Sequence, residues 1–109
     1  MTRSFAFRAS GPLAYRGQGF VAGFAPASGD PDAPDGRFKR VNVPSRGRVC
    51  VYERQSMFCV GQTLSATDGT WLVDGLSLEH RYVVAGFDDK GIQNAAIQDW
   101  IAPADPAAP

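Results

Sequence analysis

The chain has 109 residues, 44% hydrophobic and 20% charged, with eleven Lys/Arg balanced by eleven Asp/Glu. This is the size of a single domain able to bury a core without metal or disulfide help. Zero net charge argues against a nucleic-acid module, which carries a basic excess, and no apolar run reaches membrane-spanning length.

Twelve Gly and eight Pro favour many turns over long helices. Arg8 and Arg16 interrupt any apolar leader core, so no secretory signal is expected, although Ala25-Pro26-Ala27 has the small-residue look of a cleavage step. The neutral total hides a split. Residues 1–54 hold nine basic and four acidic residues, and residues 55–109 hold two basic and seven acidic. Either the halves neutralise each other on packing, or one half of one copy meets the other half of the next, where complementary charge sets register.

In chain order, residues 1–29 contain Phe5, Phe7, Tyr15, Phe20 and Phe24, three arginines and no acid. Phe5-Ala6-Phe7 and Phe20 to Phe24 have strand-like spacing, chopped short by Gly11-Pro12 and Gly17-Gln18-Gly19. Such a segment must pack on the domain or on a neighbour. It reads either as an arm laid along an adjacent subunit's sheet edge or as an extra pair of strands in its own domain. Ala27 to Gly36 is linker-like, with Asp-Pro, Ala-Pro and Asp-Gly steps.

Residues 36–103 read as the domain. Arg37 to Ser45 can form a first strand that stops at Pro44. Gly47 to Arg54 alternates Val49 and Val51 against Cys50 and Tyr52, as a strand with one buried face does. Met57 to Ser65 is its hairpin partner, with a bulge expected at Cys59-Val60-Gly61. Asp68 to Gly75 places Trp71 and Val73 on one face, and His80 to Asp88 is the nearly continuous apolar run of a central strand. Asp88-Asp89-Lys90-Gly91 supplies a tight turn in which Gly91 can take positive φ. Ile92 to Ile101 fits a strand or a helical face, and strand is preferred because every neighbour is one. Residues 104–109 are read as a flexible tail.

The pattern predicts an all-β antiparallel two-sheet sandwich with an extended N-terminal arm (1–35), a domain over 36–103 and a tail over 104–109. Its expected core is Val49, Val51, Trp71, Tyr82, Val84 and Phe87.

Thr67, Asp68-Gly69, Gly75-Leu76 and Tyr82-Val83-Val84-Ala85 follow the order of a known core signature. The stretch from Ser65 to Asp89 resembles the transthyretin-like (prealbumin-like, carboxypeptidase regulatory-like) β-sandwiches. Glu53-Arg54 and Asn94 to Pro103 also resemble segments of small proteins encoded among tailed-phage virion genes. The resemblance spans about residues 41–103 and leaves 1–35 unmatched. It implies the sandwich fold and a place in a virion, assembled in a host cytoplasm. The hydroxyisourate hydrolases of this superfold use several histidines and a Tyr-Arg-Gly-Ser tail. This chain has one histidine and ends Asp-Pro-Ala-Ala-Pro.

Catalytic, cofactor and metal sites are not expected. His80 is the only histidine, beside Glu79 in a bend, and reads as a solvated turn residue. Cys50 and Cys59 are expected nearly opposite each other, as reduced thiols on neighbouring strands. With one distant His80 they do not make a zinc set. Asp68, Asp74, Asp88 and Asp89 lack a calcium-loop spacing and act first as turn formers. Trp71 reads as core, whereas Trp100 reads equally as core or as a surface aromatic able to stack on a sugar ring.

The expected function is therefore a non-enzymatic structural component of a phage virion, in its tail, neck or fibre-attachment region. It would join other virion proteins or copies of itself through the arm, without nucleic acid or membrane. The alternative is a carbohydrate-binding or adhesion module that recognises a host surface glycan.

Overall fold

Alternation in Val49-Cys50-Val51-Tyr52 sets the frame of the fold. The computed structural model describes residues 5–8, 13–23, 36–40, 43–88, 90 and 95–107. Strand β5 (Arg48–Glu53) turns Val49, Val51 and Glu53 inward. Its hairpin partner β6 (Cys59–Leu64) lies on one side and β8 (Tyr82–Phe87) on the other, both antiparallel. Strand β9 (Ala96–Ile101) pairs with β8 and completes a four-stranded sheet of order β6-β5-β8-β9. The ambiguity over residues 92–101 is thus settled as strand for 96–101.

A second sheet is built on β7 (Trp71–Leu76). Strand β2 (Arg16–Gly23) pairs antiparallel with it, and β1 (Phe5–Arg8) pairs parallel on the other side, so this sheet is mixed, with order β1-β7-β2. A short 3-10 turn, Leu13–Tyr15, precedes β2. The N-terminal strands therefore pair within their own chain, and the expected boundary at 35/36 falls between strands of one sheet. Ala104, expected to begin a flexible tail, exchanges backbone hydrogen bonds of 2.9 and 2.8 Å with Phe20.

Residues 37–45 do not make one strand. β3 (Lys39–Arg40) and β4 (Val43–Pro44) form a minimal hairpin instead. The chain turns back because Phe38 leaves the surface. Its ring occupies a niche where a Cβ on Gly47 would overlap it and one on Gly86 would sit 3.2 Å away. Glycine at 47 is what leaves room for a buried aromatic there, and a side chain at 86 would press on the ring.

The core lies between the sheets in a β-sandwich-like arrangement. Val21, Phe38, Val49, Val51, Val60, Trp71, Val73, Leu76, Tyr82 and Val84 pack together, with Tyr15 and Ile101 against them. Each such burial is worth about 1.5–3 kcal/mol relative to exposure. Five of the six expected core residues are here. Phe87 is not: it is half-buried on the opposite face of β8. Side chains alternate with period two, so residues 84 and 87 cannot share a face.

Candidate interaction face

Among the described residues two places gather chemistry: a buried polar cluster at one end of the sandwich and the outward face of the four-stranded sheet.

At the end of β5, Glu53 is only 2% exposed. Its carboxylate accepts the Ser56 amide at 2.8 Å and the Gln55 amide at 3.1 Å, which closes the turn into β6. His80 Nδ1 lies 3.5 Å from Oε2, the oxygen that accepts the Gln55 amide, and Tyr15 stands edge-on to the imidazole with ring centres 4.9 Å apart. Burial opposes ionisation of Glu53. The two amides, the Ser56 hydroxyl and the charge of a protonated His80 outweigh it and hold the carboxyl below its ordinary value. His80 thus faces Glu53, 27 residues away, while its sequence neighbour Glu79 is exposed. The carboxylate's oxygens are committed to turn amides, and the hydroxyls nearby cap backbone: Ser56 Oγ accepts Phe58 N–H, and Ser77 Oγ accepts Glu79 N–H. The cluster fastens a turn rather than presenting an activated nucleophile.

Asp68 and Asp88 are likewise engaged in turns, whereas Asp74, expected as a turn former, lies within strand β7 with a buried Oδ1 that has no hydrogen-bond partner. Asp68 Oδ1 accepts the Thr70 hydroxyl at 2.6 Å and its amide at 3.1 Å, and these bonds hold its carboxyl below the usual range. Asp88 Oδ1 accepts the Lys90 amide. Among the described residues no three His, Cys, Asp or Glu side chains gather as metal ligands. Asp89 and Gly91 lie outside the described residues.

The sheet face has a different character. Because Val49, Val51, Tyr82 and Val84 point to the core, the intervening residues of β5 and β8 point away from it. Register then defines three outward rows: Leu64–Arg48–Phe87, Gln62–Cys50–Ala85–Ile97, and Cys59–Tyr52–Val83. Cys50, Val83 and Ala85 are buried yet stand apart from the core cluster. On the edge strands, Cys50 is opposed by the exposed Gln62 and Ala85 by Ile97 at 65%, while Leu64, at 41%, opposes Arg48.

The third row ends in a bulge, where the register of β9 shifts between the partners of Tyr82 and Val84. Asp99 and Trp100 together oppose Val83, and Trp100 takes a φ of 59°. The extra residue lets Gln98 and Ile101, three apart, both line the same inner cavity with Trp71 and Val84. Asp99 and Trp100 are left on the outside. Trp100 is 62% exposed, with the Arg54 guanidinium 5.6 Å from its ring centre and Arg54 Nε 2.7 Å from Asp99 Oδ1.

The thiols lie on this face but not opposite each other. Cys50 pairs with Gln62, and its thiol is 3.6 Å from Gln62 Oε1, while Cys59 pairs with Tyr52. The hairpin turns one residue later than Arg54-Gln55, which already sets the thiols out of register, and the expected bulge at Val60 shifts Cys50 one position further, onto Gln62. Neither forms a disulfide; Cys50 is buried and Cys59 exposed.

Of the expected arm contacts, Tyr15 packs against the core, Phe20 is half-buried on β2, and Phe5 and Phe7 occupy β1 register positions opposite Trp71 and Val73. Phe24 lies outside the described residues. Trp71 is buried and donates its indole N–H to Gly36 O at 2.7 Å. The apolar outward face itself was missed by the sequence reading, although the run Tyr82–Phe87 signalled it: apolar residues at consecutive positions put apolar groups on both faces.

No family model, curated protein or solved structure matches the chain.

Proposed function

We propose that the chain is a non-enzymatic structural module of a larger assembly, docked through the outward face of its four-stranded sheet, and that the assembly is a tailed-phage virion. The observation that carries the docking role is the exposure of large apolar residues on the two edge strands of this sheet, Leu64 on β6 and Ile97 with Trp100 on β9, on either side of the buried Cys50 and Ala85. Large apolar groups left together in solvent mark interaction surfaces. The N-terminal segment serves less well as the connector, because the backbone of β2 is engaged by β7 of the same chain. The virion setting, in the tail, neck or fibre-attachment region, rests on the transthyretin-like pattern of residues 65–89 and on the segments at Glu53-Arg54 and Asn94–Pro103. Its partners are then other virion proteins or further copies, met in the host cytoplasm during assembly.

The test is incorporation. Particles purified from a host carrying the gene should contain the chain, and Trp100→Ser with Ile97→Lys should deplete it without unfolding it. Particles lacking the wild-type chain would overturn the virion reading, and undiminished incorporation of the double variant would overturn the docking face.

A second reading is favoured by one observation, the exposure of Trp100. An exposed indole beside a carboxylate and a guanidinium is a platform for a sugar ring. On this reading the wild-type chain binds a glycan array and Trp100→Ser does not.

A further inference from the structure

We infer that a hollow on the outward face of the three-stranded sheet is a binding site for a guanidinium group on an apolar stem, with Asp74 as its anionic anchor. The site is independent of the docking face on the other sheet.

Strand alternation builds it. Trp71 and Val73 of β7 point into the core, so Leu72 and Asp74 point out. Register sets Phe20 of β2 opposite Asp74. The backbone bonds between Phe20 and Ala104 bring the C-terminal segment alongside β2, and Pro106, two residues on, reaches the same place. Phe20, Leu72, Pro106, Gln18 and Asp74 thus line a hollow of about 500 Å³, within the size range of ligand sites. Gly17 and Gly75 complete the lining without adding side-chain bulk.

Asp74 makes this a site rather than a gap in packing. It is the one charged residue among those described that line the hollow. Its Oδ1 keeps less than 1 Å² of surface in solvent and has no hydrogen-bond partner, whereas the carboxylates of Glu53, Asp68 and Asp88 all accept from their turns. Arg8 is in register with Asp74 on β1, and Oδ1 is without a donor all the same. A carboxylate oxygen withdrawn from water with nothing donated to it costs stability, so its retention calls for a partner outside the fold's own bonding. The torsion to the carboxyl group is soft and two-fold, and rotation about it brings either oxygen to the hollow.

The lining selects the cation. One carboxylate with no further His, Cys, Asp or Glu gathered beside it is too poor a set for a metal ion. An ammonium is a strongly hydrated point charge, ill matched to Phe20, Leu72 and Pro106. A guanidinium is planar and weakly hydrated: its edge donates to the carboxylate while its faces lie against Phe20 and Pro106. The Gln18 side-chain oxygen offers it a further acceptor. Such a group comes either on an arginine side chain of a neighbouring protein or on a free alkylguanidine.

Titration of the full chain, followed by its amide shifts in two-dimensional NMR, tests the site with four probes: butylguanidinium, a capped tripeptide with a central arginine, butylammonium and neutral butylurea. Both guanidinium probes should shift the Gly17, Gln18 and Gly75 amides and saturate with a Kd of about 1 mM, with butylammonium about tenfold weaker and butylurea inert. Tighter binding of the peptide assigns the group to a protein side chain, and tighter binding of butylguanidinium assigns it to a small molecule. Asp74→Asn should weaken guanidinium binding about tenfold or more, yet melt no lower than wild type, because it removes an unpaired charge. Pro106→Ala, on an exposed segment, should weaken binding with the melt unchanged, which keeps the test decisive if Asp74→Asn misfolds. Absence of saturation by either guanidinium probe, or equal shifts with butylurea or in Asp74→Asn, overturns the site. A fall in melting temperature shared by Asp74→Asn and Arg8→Gln, with no probe bound by wild type, assigns the carboxylate to Arg8 and overturns it too.

Discussion

Glu53 and Tyr82 are direct cross-strand partners in β5 and β8, both turned into the sandwich and both essentially without solvent contact. A carboxylate and a phenol share this interior because each has a backbone partner: turn amides for Glu53, and the Ser77 carbonyl, which accepts the Tyr82 hydroxyl at 2.9 Å. Burial first, and the Glu53 charge second, push the Tyr82 phenol up to about 12.

Glu53→Ala should destabilise the fold by about 3 kcal/mol, because two amides lose a charged acceptor, and Glu53→Gln by roughly half of that. Glu53 also makes stability depend on acid. Its folded-state value lies below the reference of 4.5, so its contribution is complete above that value and is lost as pH falls through the folded-state value. Urea titrations at neutral pH and at about pH 3 should show a drop in wild type that Glu53→Gln flattens.

Tyr82 acts at the other end of the scale. The unfolded phenol ionises near 10.0 and the folded one about 12. Above pH 10 the unfolded state therefore holds fewer protons, and stability declines as pH rises. Tyr82→Phe should remove that alkaline decline while costing about 1 kcal/mol at neutral pH for the lost hydrogen bond to Ser77. Ultraviolet difference titration beside alkaline denaturation reads both effects.

Gly47→Ala and Gly23→Ala should each cost at least 1–3 kcal/mol, the range for overpacking. A Cβ on Gly47 overlaps the Phe38 ring, and one on Gly23 overlaps the Gly36 carbonyl beside the Trp71 indole. In thermal melts, pairing Gly47→Ala with Phe38→Leu should recover part of the loss, whereas no side-chain change relieves Gly23, whose neighbour is backbone.

Native thiol reactivity should be biphasic. Cys59 is exposed and Cys50 buried, so an aromatic disulfide reagent should label Cys59 rapidly and Cys50 only on opening or denaturation. Equal fast labelling of both would contradict the register that sets Cys50 against Gln62.

What the sequence determined by itself is local. Alternating Val49 to Tyr52, the turn residues at Asp68-Gly69 and Gly75, and the glycine at 61 specified strands, bends and a bulge, because side-chain period and φ preference act within a few residues. Trp100 was legible as a candidate surface group for the same reason. The tertiary structure decided everything that depends on which strands meet. Pairing of β1 and β2 with β7 turned the N-terminal strands inward to their own chain. Antiparallel closure of β5 on β8 put Glu53 within reach of His80, and β3 folded back because Gly47 and Gly86 left a space for Phe38. The apolar outward face shows both kinds of information at once: the run Tyr82–Phe87 supplied its residues, but only the register joining β6, β5, β8 and β9 aligned them into one surface. Hydrophobic burial is non-directional, so a sequence states how much apolar surface must be covered, and topology states where it is left open.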